Sequence, residues 1–570
     1  MRGFATYLLD STPIHRLSLI TTMRRLTLSL CLFLALSLIA RAHVGSAGVI
    51  VQKQVGPYQL LVSVMPPDVV PGTAQVTVFV EKGNPTRLVG RPVYFFEGDE
   101  GAPEADPLAA VGTNQYQGAI WFMESGSTSI QLLLDGPDGK AEVVVPVLAT
   151  STALRDMPAG TGAGLAVMGG LLFVMLVTIL GASNADGITA PGSTAAGAAR
   201  SIRRRRLVGM GLGGVLLVLV LTGGRMWWNS WADEYRTYQL YKPVPLISTA
   251  RPGQGQVVLT IRPDTTGFAR NWNRRRDFNL LVPDHGKLLH TFLVRLPGLD
   301  AFAHLHPTRR DSLTFETRLP DLPEGRYLLY TDVVYRSGYA ETLTDTVAIP
   351  APKAPTTPAA RRPTDLDDSF LLTEPMGVKQ DAVGQLHLDN DMVACGKPSA
   401  SSRLADGSTM LWTDKPAPVL DAGQLYTLKF AVADPAGKAA LLEPYLGMPG
   451  HAAILRSDGT VYIHLHPVGT YSMASETMLV NRMADTTRKA PQLNGGRFRD
   501  SIDTYLAQLK AKPLAEQQAA TQMAGMTHQM TTANMVTFPY AFPRAGHYRI
   551  WVQVRRDGQV LTGAFDTQVR

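Results

Sequence analysis

Cysteine is scarce in this chain: its 570 residues include two, Cys31 and Cys395. Cys31 lies in a segment that reads as a secretory signal, which leaves Cys395 alone in the mature chain. A lone thiol excludes an intrachain disulfide and a zinc site built from several cysteines. We expect Cys395 to be a buried, inert thiol.

Several catalytic signatures are also missing. The sequence has no phosphate-binding loop, no dinucleotide fingerprint, no nucleophile elbow and no paired catalytic carboxylates. Its net charge of +7 is modest and comes largely from short clusters such as Arg203 to Arg206 and Arg274 to Arg276. No basic stripe carries interleaved aromatic residues, so we do not expect a nucleic-acid-binding protein. Because the catalytic signatures are missing, we do not expect an enzyme either.

The N-terminus reads as a targeting signal. Met23-Arg24-Arg25 precedes the apolar run LTLSLCLFLALSLIA and the motif Ala40-Arg41-Ala42. Charged, apolar and small-residue regions in this order are typical of a secretory signal. We assign residues 1–42 to a signal segment with an N-terminal extension, and cleavage after Ala42 would expose His43. The alternative is an uncleaved anchor helix.

Two later apolar runs, 163–182 and 207–228, are long enough to be transmembrane helices. The intervening loop, 183–206, holds Arg200 and Arg203 to Arg206, and basic loops tend to face the cytoplasm. The sequence therefore predicts a protein of the bacterial inner membrane, in contact with the lipid bilayer, with most of its chain in the periplasm. Gly209 and Gly213 would let the two helices pack closely.

The remaining chain alternates apolar and polar residues in short runs between Gly, Pro and Asp, which is typical of β-sandwiches. We predict an all-β fold class: three immunoglobulin-like β-sandwich domains, two transmembrane helices and a small helical insertion. The sandwiches span residues 43–155, 240–350 and 366–570. A Pro-rich linker, 351–365, precedes the third sandwich, and the helical insertion, 470–536, interrupts it.

One pattern occurs twice. Residues 283–307 read PDHGKLLHTFLVRLPGLDAFAHLHP, and residues 444–467 read PYLGMPGHAAILRSDGTVYIHLHP. Both copies share a Pro, a Gly and a His at matched spacing, and both end in His-Leu-His-Pro. Six of the chain's 12 histidines lie at these matched places: His290, His304, His306, His451, His464 and His466.

Residues i and i+2 of a strand face the same side, so each His-Leu-His segment presents two imidazoles together. If the preceding His-bearing strand pairs with it, three imidazoles meet in each repeat. Three neutral imidazoles suit copper, zinc or nickel. The alternative is a structural role, in which the histidines bond to backbone carbonyls at a sandwich edge.

Further ligands are predicted near the second copy and at the mature N-terminus. Met448 precedes His451 by three residues, and the insertion holds Met523, Met526, His528, Met530 and Met535. Thioethers beside imidazoles favour copper, although the insertion's spacing also fits a packed helical face. His43 would chelate copper through its amine and ring. His285 has no counterpart in the second copy, where Leu446 stands, so we leave it out of the site.

The segment AHVGSAGVIVQKQVGPYQLLVSVMPPDVVPGTAQVTVFV resembles the YtkA/FixH-like and CopC-like extracytoplasmic β-sandwich proteins of bacteria. In the CopC-like family a mature N-terminal histidine helps to bind copper, and His43 matches that feature. The resemblance therefore implies an extracytoplasmic sandwich and a copper role for His43.

These observations predict a membrane-anchored periplasmic metal-binding protein that stores, delivers or senses copper through its histidine clusters. Metal-trafficking proteins or proteins of a respiratory complex are its expected partners. The alternative is a non-catalytic extracytoplasmic scaffold or assembly factor whose sandwiches bind protein partners and whose histidines are structural.

Overall fold

The computed structural model describes residues 48–154, 157–186, 199–253, 256–266, 276–351, 365–376, 400–414, 418–487, 490–521 and 534–570. The described chain is mostly β, with six sheets and two long apolar helices. The predicted signal segment 1–42, His43, Cys395 and most of the predicted linker lie outside the described residues.

Two antiparallel sheets form the first sandwich. Its strands are β1 (Val49–Val55), β2 (Tyr58–Met65), β3 (Gly72–Lys82), β4 (Arg87–Tyr94), β5 (Asp106–Pro107), β6 (Ala109–Gly112), β7 (Gln115–Phe122), β8 (Gly126–Gly136) and β9 (Gly139–Ala149). A 3-10 turn, Asp99–Gly101, follows β4. The sheet orders are β1-β2-β3-β7-β6 and β5-β4-β8-β9. Every second residue of β2 is buried, and these side chains share one core with β8 and β9.

Two helices follow, α1 (Ala159–Asp186) and α2 (Ala199–Glu234), the second ending in a π-helical turn, Tyr235–Gln239. Both are long and apolar enough to cross a membrane, by length and composition. They pack closely, as predicted: a Cβ on Gly209 would lie 2.9 Å from Asn184, and one on Gly213 would lie 2.7 Å from Leu180. The prediction of a loop up to residue 206 was wrong, because the arginines, which are good helix formers, belong to the first turns of α2.

The second sandwich contains β10 (Leu246–Pro252), β11 (Val257–Pro263), β12 (Leu281–Val282), β13 (His290–Leu296), β14 (Ala301–Leu305), β15 (Thr308–Arg309), β16 (Phe315–Arg318), β17 (Gly325–Tyr335), β18 (Ala340–Ile349) and β19 (Ser369–Leu372). A 3-10 turn, Phe278–Leu280, precedes β12. One sheet has the order β10-β11-β16-β15, and the other has β12-β17-β13-β14-β19 with β18 on β17. The predicted boundary at residue 366 was therefore wrong: β19 hydrogen-bonds to β14 and completes the second sandwich.

The third sandwich contains β20 (Ser401–Arg403), β21 (Thr409–Thr413), β22 (Val419–Leu420), β23 (Leu425–Ala433), β24 (His451–Arg456), β25 (Tyr462–Leu465), β26 (Met535–Ala541), β27 (Gly546–Arg556) and β28 (Gln559–Val569). Its sheets have the orders β20-β21-β23-β26 and β22-β28-β27-β24-β25. The pairing of β24 with β25 and β27 repeats that of β13 with β14 and β17. The duplicated sequence is thus a duplicated sheet, and we call these two sheets the paired sheets.

Between β25 and β26 the described residues form three helices: α3 (Met473–Ala484), α4 (Gly495–Ala511) and α5 (Leu514–Thr521). The side chains of Ser472 and Asn494 cap the first two by accepting hydrogen bonds from backbone N–H groups. Pro513 separates α4 from α5, because proline is excluded from a helix interior. These helices fall inside the predicted insertion.

The paired sheets pack face to face. Phe302 of β14 stacks on Trp551 of β27 with ring centroids 4.7 Å apart, and Tyr462 of β25 stacks on Tyr330 of β17 at 4.1 Å. The register makes these two contacts equivalent, since each joins a His-Leu-His strand of one repeat to the central strand of the other. The repeats are therefore related by a pseudo-twofold axis, with the same surface used on both sides.

A buried ion pair in the second sandwich joins Arg276 and Glu341. Arg276 Nη1 is 3.5 Å from Glu341 Oε2, and both side chains are almost fully buried. Glu341 Oε1 also accepts a hydrogen bond from the Tyr335 hydroxyl. Burial raises the pKa of Glu341, and the Arg276 charge opposes that rise. The pair ties the segment after α2 to the sandwich, because Arg276 also donates to the Lys242 carbonyl.

Replacing Glu341 with Ala should destabilise the β17–β18 hairpin by about 3 kcal/mol, because the Arg276 charge would stay buried without its carboxylate. Hydrogen exchange of the amides of β17 and β18, read by mass spectrometry, would measure the loss. Asp135→Ala in β8 removes an exposed partner of Lys140 and serves as the control, with an expected loss below about 1 kcal/mol. Equal protection in both variants would contradict the prediction.

Candidate metal centre

Seven imidazoles form one buried cluster where the paired sheets meet. Each of the seven is at most 8% exposed. Its members are His285, His290, His304, His306, His451, His464 and His466, and the part of the chain that the structure describes contains just one further histidine, His547. We call this group the histidine cluster. Burying so many polar rings together is costly unless their nitrogens find partners.

The alternation of the strands brings the imidazoles together. Leu305, between His304 and His306, points into the core of the second sandwich, and Leu465 does the same in the third. The histidines therefore project from the opposite face, toward the other repeat. His290 lies beside His304 on this face: His290 Nδ1 and His304 Nε2 are 3.2 Å apart. The i, i+2 spacing thus places the rings as expected.

A matched pair of hydrogen bonds from imidazoles joins the two repeats across the pseudo-twofold axis. His304 Nδ1 lies 2.9 Å from Gln553 Oε1 of the third sandwich, and His464 Nδ1 lies 3.2 Å from Asp332 Oδ2 of the second. The acceptors are equivalent, because Asp332 faces His290 in one sheet and Gln553 faces His451 in the other. Each repeat therefore orients an imidazole of its partner.

The other two His-Leu-His imidazoles are anchored within their own surroundings. His306 Nδ1 lies 2.9 Å from Asp368 Oδ1, and His466 Nδ1 lies 2.8 Å from the Tyr471 carbonyl oxygen. All four rings thus use Nδ1 to reach an oxygen acceptor. In a neutral ring, an acceptor at Nδ1 selects the tautomer whose Nε2 carries a lone pair, the form in which histidine binds metals.

The inward nitrogens are left without hydrogen-bond partners. Six buried ring nitrogens have none: Nε2 of His285, His306, His464 and His466, and both Nδ1 and Nε2 of His451. Leaving a buried polar atom unsatisfied costs about 1–3 kcal/mol. His290 adds a seventh conflict, because its Nε2 faces the Asp284 carbonyl oxygen at 3.2 Å while its Nδ1 faces His304. A neutral ring has one N–H and donates to one of these two atoms.

Two triads within the cluster have metal-ligand spacing. The ligand atoms of His290, His304 and His306 all lie within 4.8 Å of one another, and so do those of His285, His451 and His466. The first triad is the predicted trio. The second replaces the predicted His464 with His285, and His464 lies beside it with its ring centroid 4.6 Å from that of His466.

Leaving His285 out of the cluster was therefore wrong. The sequence comparison confined it to the first repeat, but the repeats face each other. Its ring centroid lies 5.5 Å from that of His451 and 5.4 Å from that of His466.

Electrostatics favour neutral rings. Burial, followed by repulsion from neighbouring imidazoles, lowers the pKa values of His290, His304 and His451 well below the usual histidine value. Burial and the neighbouring His464 lower the pKa of His466 in the same direction. The pKa of His285 is also lowered, mainly by burial, and Asp284 opposes that shift. Neutral imidazole is the ligand form, so a metal ion meets little competition from protons.

Two of the remaining predicted ligands, Met448 and Met535, lie in the described residues. Met448 is fully buried, and its backbone pairs with Tyr445 in the turn before His451. Met535 is 40% exposed at the start of β26. His43 and the insertion residues Met523, Met526, His528 and Met530 lie outside the described residues. Their roles stay predictions.

Sequence reasoning missed the oxygen acceptors. Asp332 and Gln553 lie on the central strands β17 and β27, far from the His motif in the chain. No spacing in the sequence links them to the imidazoles. Asp368 was detectable in principle, because it lies in a run of acidic residues, 365–368, after the predicted linker.

Comparison with known proteins gives little beyond this geometry. A family described as a domain of unknown function, DUF8832, matches residues 403–493 and 514–570, which is most of the third sandwich without α4. No curated protein matches the chain. The family match therefore covers the second His copy and names no activity.

Solved structures resemble the chain only loosely. Dimeric latent PorU from Porphyromonas gingivalis is 9% identical with a TM-score of 0.12, covering 92% of this chain and 34% of its own. The chicken CNTN1 FN1-FN3 domains are 8% identical with a TM-score of 0.13, covering 92% and 99%. Sidekick-1 immunoglobulin domains 1-4 are 6% identical with a TM-score of 0.11, covering 93% and 95%. This chain spans about a third of the PorU chain.

Burial of the cluster predicts its chemical reactivity. Diethyl pyrocarbonate should modify the half-buried His547 first and leave the seven clustered imidazoles unmodified while the protein is folded, because the reagent needs solvent access. Peptide mass spectrometry after a short exposure would locate the modified rings, with the urea-unfolded chain as the control. Modification of the His-Leu-His peptides as fast as that of His547 would contradict the buried arrangement.

Proposed function

We propose that this protein is a membrane-anchored extracytoplasmic copper-binding protein whose histidine cluster holds the metal for storage, delivery or sensing. One observation carries the proposal: four imidazoles are held by oxygen acceptors at Nδ1, and three of those rings, with His285 and His451, turn unpartnered nitrogens inward. A structural cluster would be expected to satisfy its nitrogens internally. A bound ion would satisfy them.

The spacing supports an ion with imidazole ligands. A metal–imidazole bond is about 2.0 Å long, so two ligands on a trigonal ion lie about 3.5 Å apart. His290 Nδ1 and His304 Nε2 are separated by 3.2 Å, close to that value. Small ring rotations would therefore admit an ion between them.

Copper is favoured over zinc by the ligand set and the surroundings. Nitrogen sites bind Cu²⁺ more tightly than any other divalent ion of the first transition series, and imidazole also suits Cu(I). Neither triad contains a carboxylate. The cluster is closed from water, and burial favours an ion of low charge. Zinc is the second candidate metal.

The membrane arrangement is part of the same proposal. The first sandwich precedes α1 and the second follows α2, yet the two ends meet: the Tyr235 hydroxyl donates to the Ala153 carbonyl, and the Tyr241 N–H donates to the Ser151 carbonyl. Two crossings return the chain to the side from which it left. The arginines at the start of α2 favour the cytoplasm for the α1–α2 connection, which puts the sandwiches in the periplasm of a bacterial cell.

The family resemblance and the immunoglobulin-like character of the sandwiches belong to this proposal too. Antiparallel sheets packed in pairs around common cores support an immunoglobulin-like interpretation of all three sandwiches. The YtkA/FixH-like and CopC-like resemblance supports an extracytoplasmic role for the first. Copper donors or acceptors from metal trafficking or respiratory-complex assembly are the partners we propose.

Metal content tests the function. The full-length protein, purified in detergent and exposed to copper, should retain copper after desalting. The His304→Ala/His464→Ala double variant should lose most of it, because each repeat loses one inward imidazole. His547→Ala, which removes a histidine outside the cluster, should retain the wild-type amount. Equal copper in all three proteins would sink the proposal and favour the scaffold alternative.

A more conservative substitution controls for misfolding of the alanine variants. Asp368→Asn keeps the size of the side chain but weakens the acceptor of His306, and such outer partners typically change metal affinity about 10–100-fold. Copper affinity, measured by competition with a chromophoric chelator, should fall within that range. An unchanged affinity would show that His306, whose ring Asp368 orients, does not bind the metal.

Reporter fusions test the orientation. A reporter active in the cytoplasm should be active when inserted at residue 192, between α1 and α2, and inactive when fused after Arg570. A reporter active in the periplasm should show the reverse pattern. Periplasmic activity at residue 192 would overturn the topology while leaving the metal proposal intact.

A further inference from the structure

The two repeats differ at one position that bears on the metal. The turns before β13 and β24 have the same backbone: φ is 51° at His285 and 50° at Leu446, followed by glycines at 79° and 76°. Each turn is closed by paired backbone hydrogen bonds, between Asp284 and Lys287 and between Tyr445 and Met448. The same left-handed turn therefore presents an imidazole in one repeat and a leucine in the other.

His285 reaches the second repeat from this turn. Its ring centroid is 6.2 Å from that of His290 in its own repeat, farther than from His451 or His466. Its Nε2 is buried without a hydrogen-bond partner. A non-glycine residue at positive φ is uncommon, and such residues gather at functional sites. The turn thus holds the ring against the other repeat.

The first triad, by contrast, lies within one repeat. His290, His304 and His306 come from β13, β14 and the residue after β14. The two triads have no member in common. The His464 ring is close to both triads. Its centroid lies 5.4 Å from that of His290, 5.5 Å from that of His304 and 5.3 Å from that of His451. Two ions in these triads would be close neighbours.

We propose that the histidine cluster is a binuclear centre for two Cu(I) ions, and that the second ion is bound across the interface between the repeats by His285, His451 and His466. The inference rests on the proposed function and adds the number of ions, their charge and the inter-repeat ligand. The first ion is bound by His290, His304 and His306. His464 separates the two sites and turns its own unpartnered Nε2 toward them.

The charge of the ions follows from their proximity. Coulomb repulsion scales with the product of the charges, so two monovalent ions repel four times less than two divalent ions at the same separation. Divalent pairs in proteins are commonly bridged by anionic ligands, and neither triad contains a carboxylate. The nearby Asp284 Oδ1, 3.6 Å from His285 Nε2, accepts a hydrogen bond from the Ala474 N–H. Cu(I) accepts few ligands and binds neutral imidazole, so three imidazoles can complete its coordination. A second divalent ion is therefore disfavoured.

Stoichiometry tests the proposal. The full-length protein in detergent, kept anaerobic, should bind two Cu(I) per chain in competition with a chromophoric Cu(I) chelator. His285→Leu should bind one, since it copies the residue found at the matched turn of the second repeat and so should keep the backbone. His547→Leu is the matched control and should bind two. With Zn²⁺, the wild type should bind one ion.

A second variant identifies which ion is lost. His290→Ala should also bind one Cu(I), and the His285→Leu/His290→Ala pair should bind none. X-ray absorption by the Cu(I)-loaded wild type should show scattering from a neighbouring copper, and each single variant should lack it. Copper–copper scattering that persists in His285→Leu would overturn the assignment of His285.

The outcomes separate this inference from the function itself. One Cu(I) in the wild type, or two in His285→Leu, would overturn the binuclear centre while leaving a copper-binding protein. Two Zn²⁺ in the wild type would overturn the charge argument. No metal in any protein would overturn the proposed function, and the binuclear centre would fall with it.

Discussion

The structure depends above all on the face-to-face packing of the paired sheets. The Phe302–Trp551 and Tyr330–Tyr462 stacks close this interface on one side of the histidine cluster. Large aromatic pairs of this kind each bury a substantial apolar area. Without the interface the imidazoles would face water. With it they are buried, and each repeat supplies the acceptor that orients one imidazole of the other.

The sequence predicted the components of this arrangement better than their assembly. The i, i+2 rule predicted that His304 and His306 project from the same face of their strand. The structure agrees, because alternate side chains of a strand share a face. An antiparallel strand often has one buried and one solvent-facing side. Every residue of β14 is buried, however, since its second face packs against the other repeat. A short apolar strand cannot reveal whether its second face is solvated or covered.

The errors have the same physical origin. Leaving out His285 assumed that each repeat works alone, and the boundary at residue 366 assumed that the linker ended one sandwich and began the next. Both assumptions concern contacts between segments far apart in the chain. Local periodicity reports which face of an element is apolar but not what covers it. Gln553, about 250 positions from His304, is the clearest example.

The first sandwich is part of the same construction. Its edge strand β1 hydrogen-bonds to the loop after the second His-Leu-His segment: the Gln52 N–H donates to the Val468 carbonyl at 2.8 Å, and the Thr470 N–H donates to the Ile50 carbonyl at 3.0 Å. An unpaired edge strand invites aggregation, and this contact covers it.

Tyr471 joins that sandwich directly to the histidine cluster. Its side chain packs in the core of the first sandwich, and its carbonyl accepts the hydrogen bond from His466 Nδ1. Lys53 adds an ion pair with Glu476 of α3. A shift of the first sandwich would therefore move the acceptor that orients His466. All three sandwiches therefore hold the histidine cluster in place, and the duplicated pair does not do so alone. This explains why a motif that occurs twice in the sequence forms one asymmetric centre.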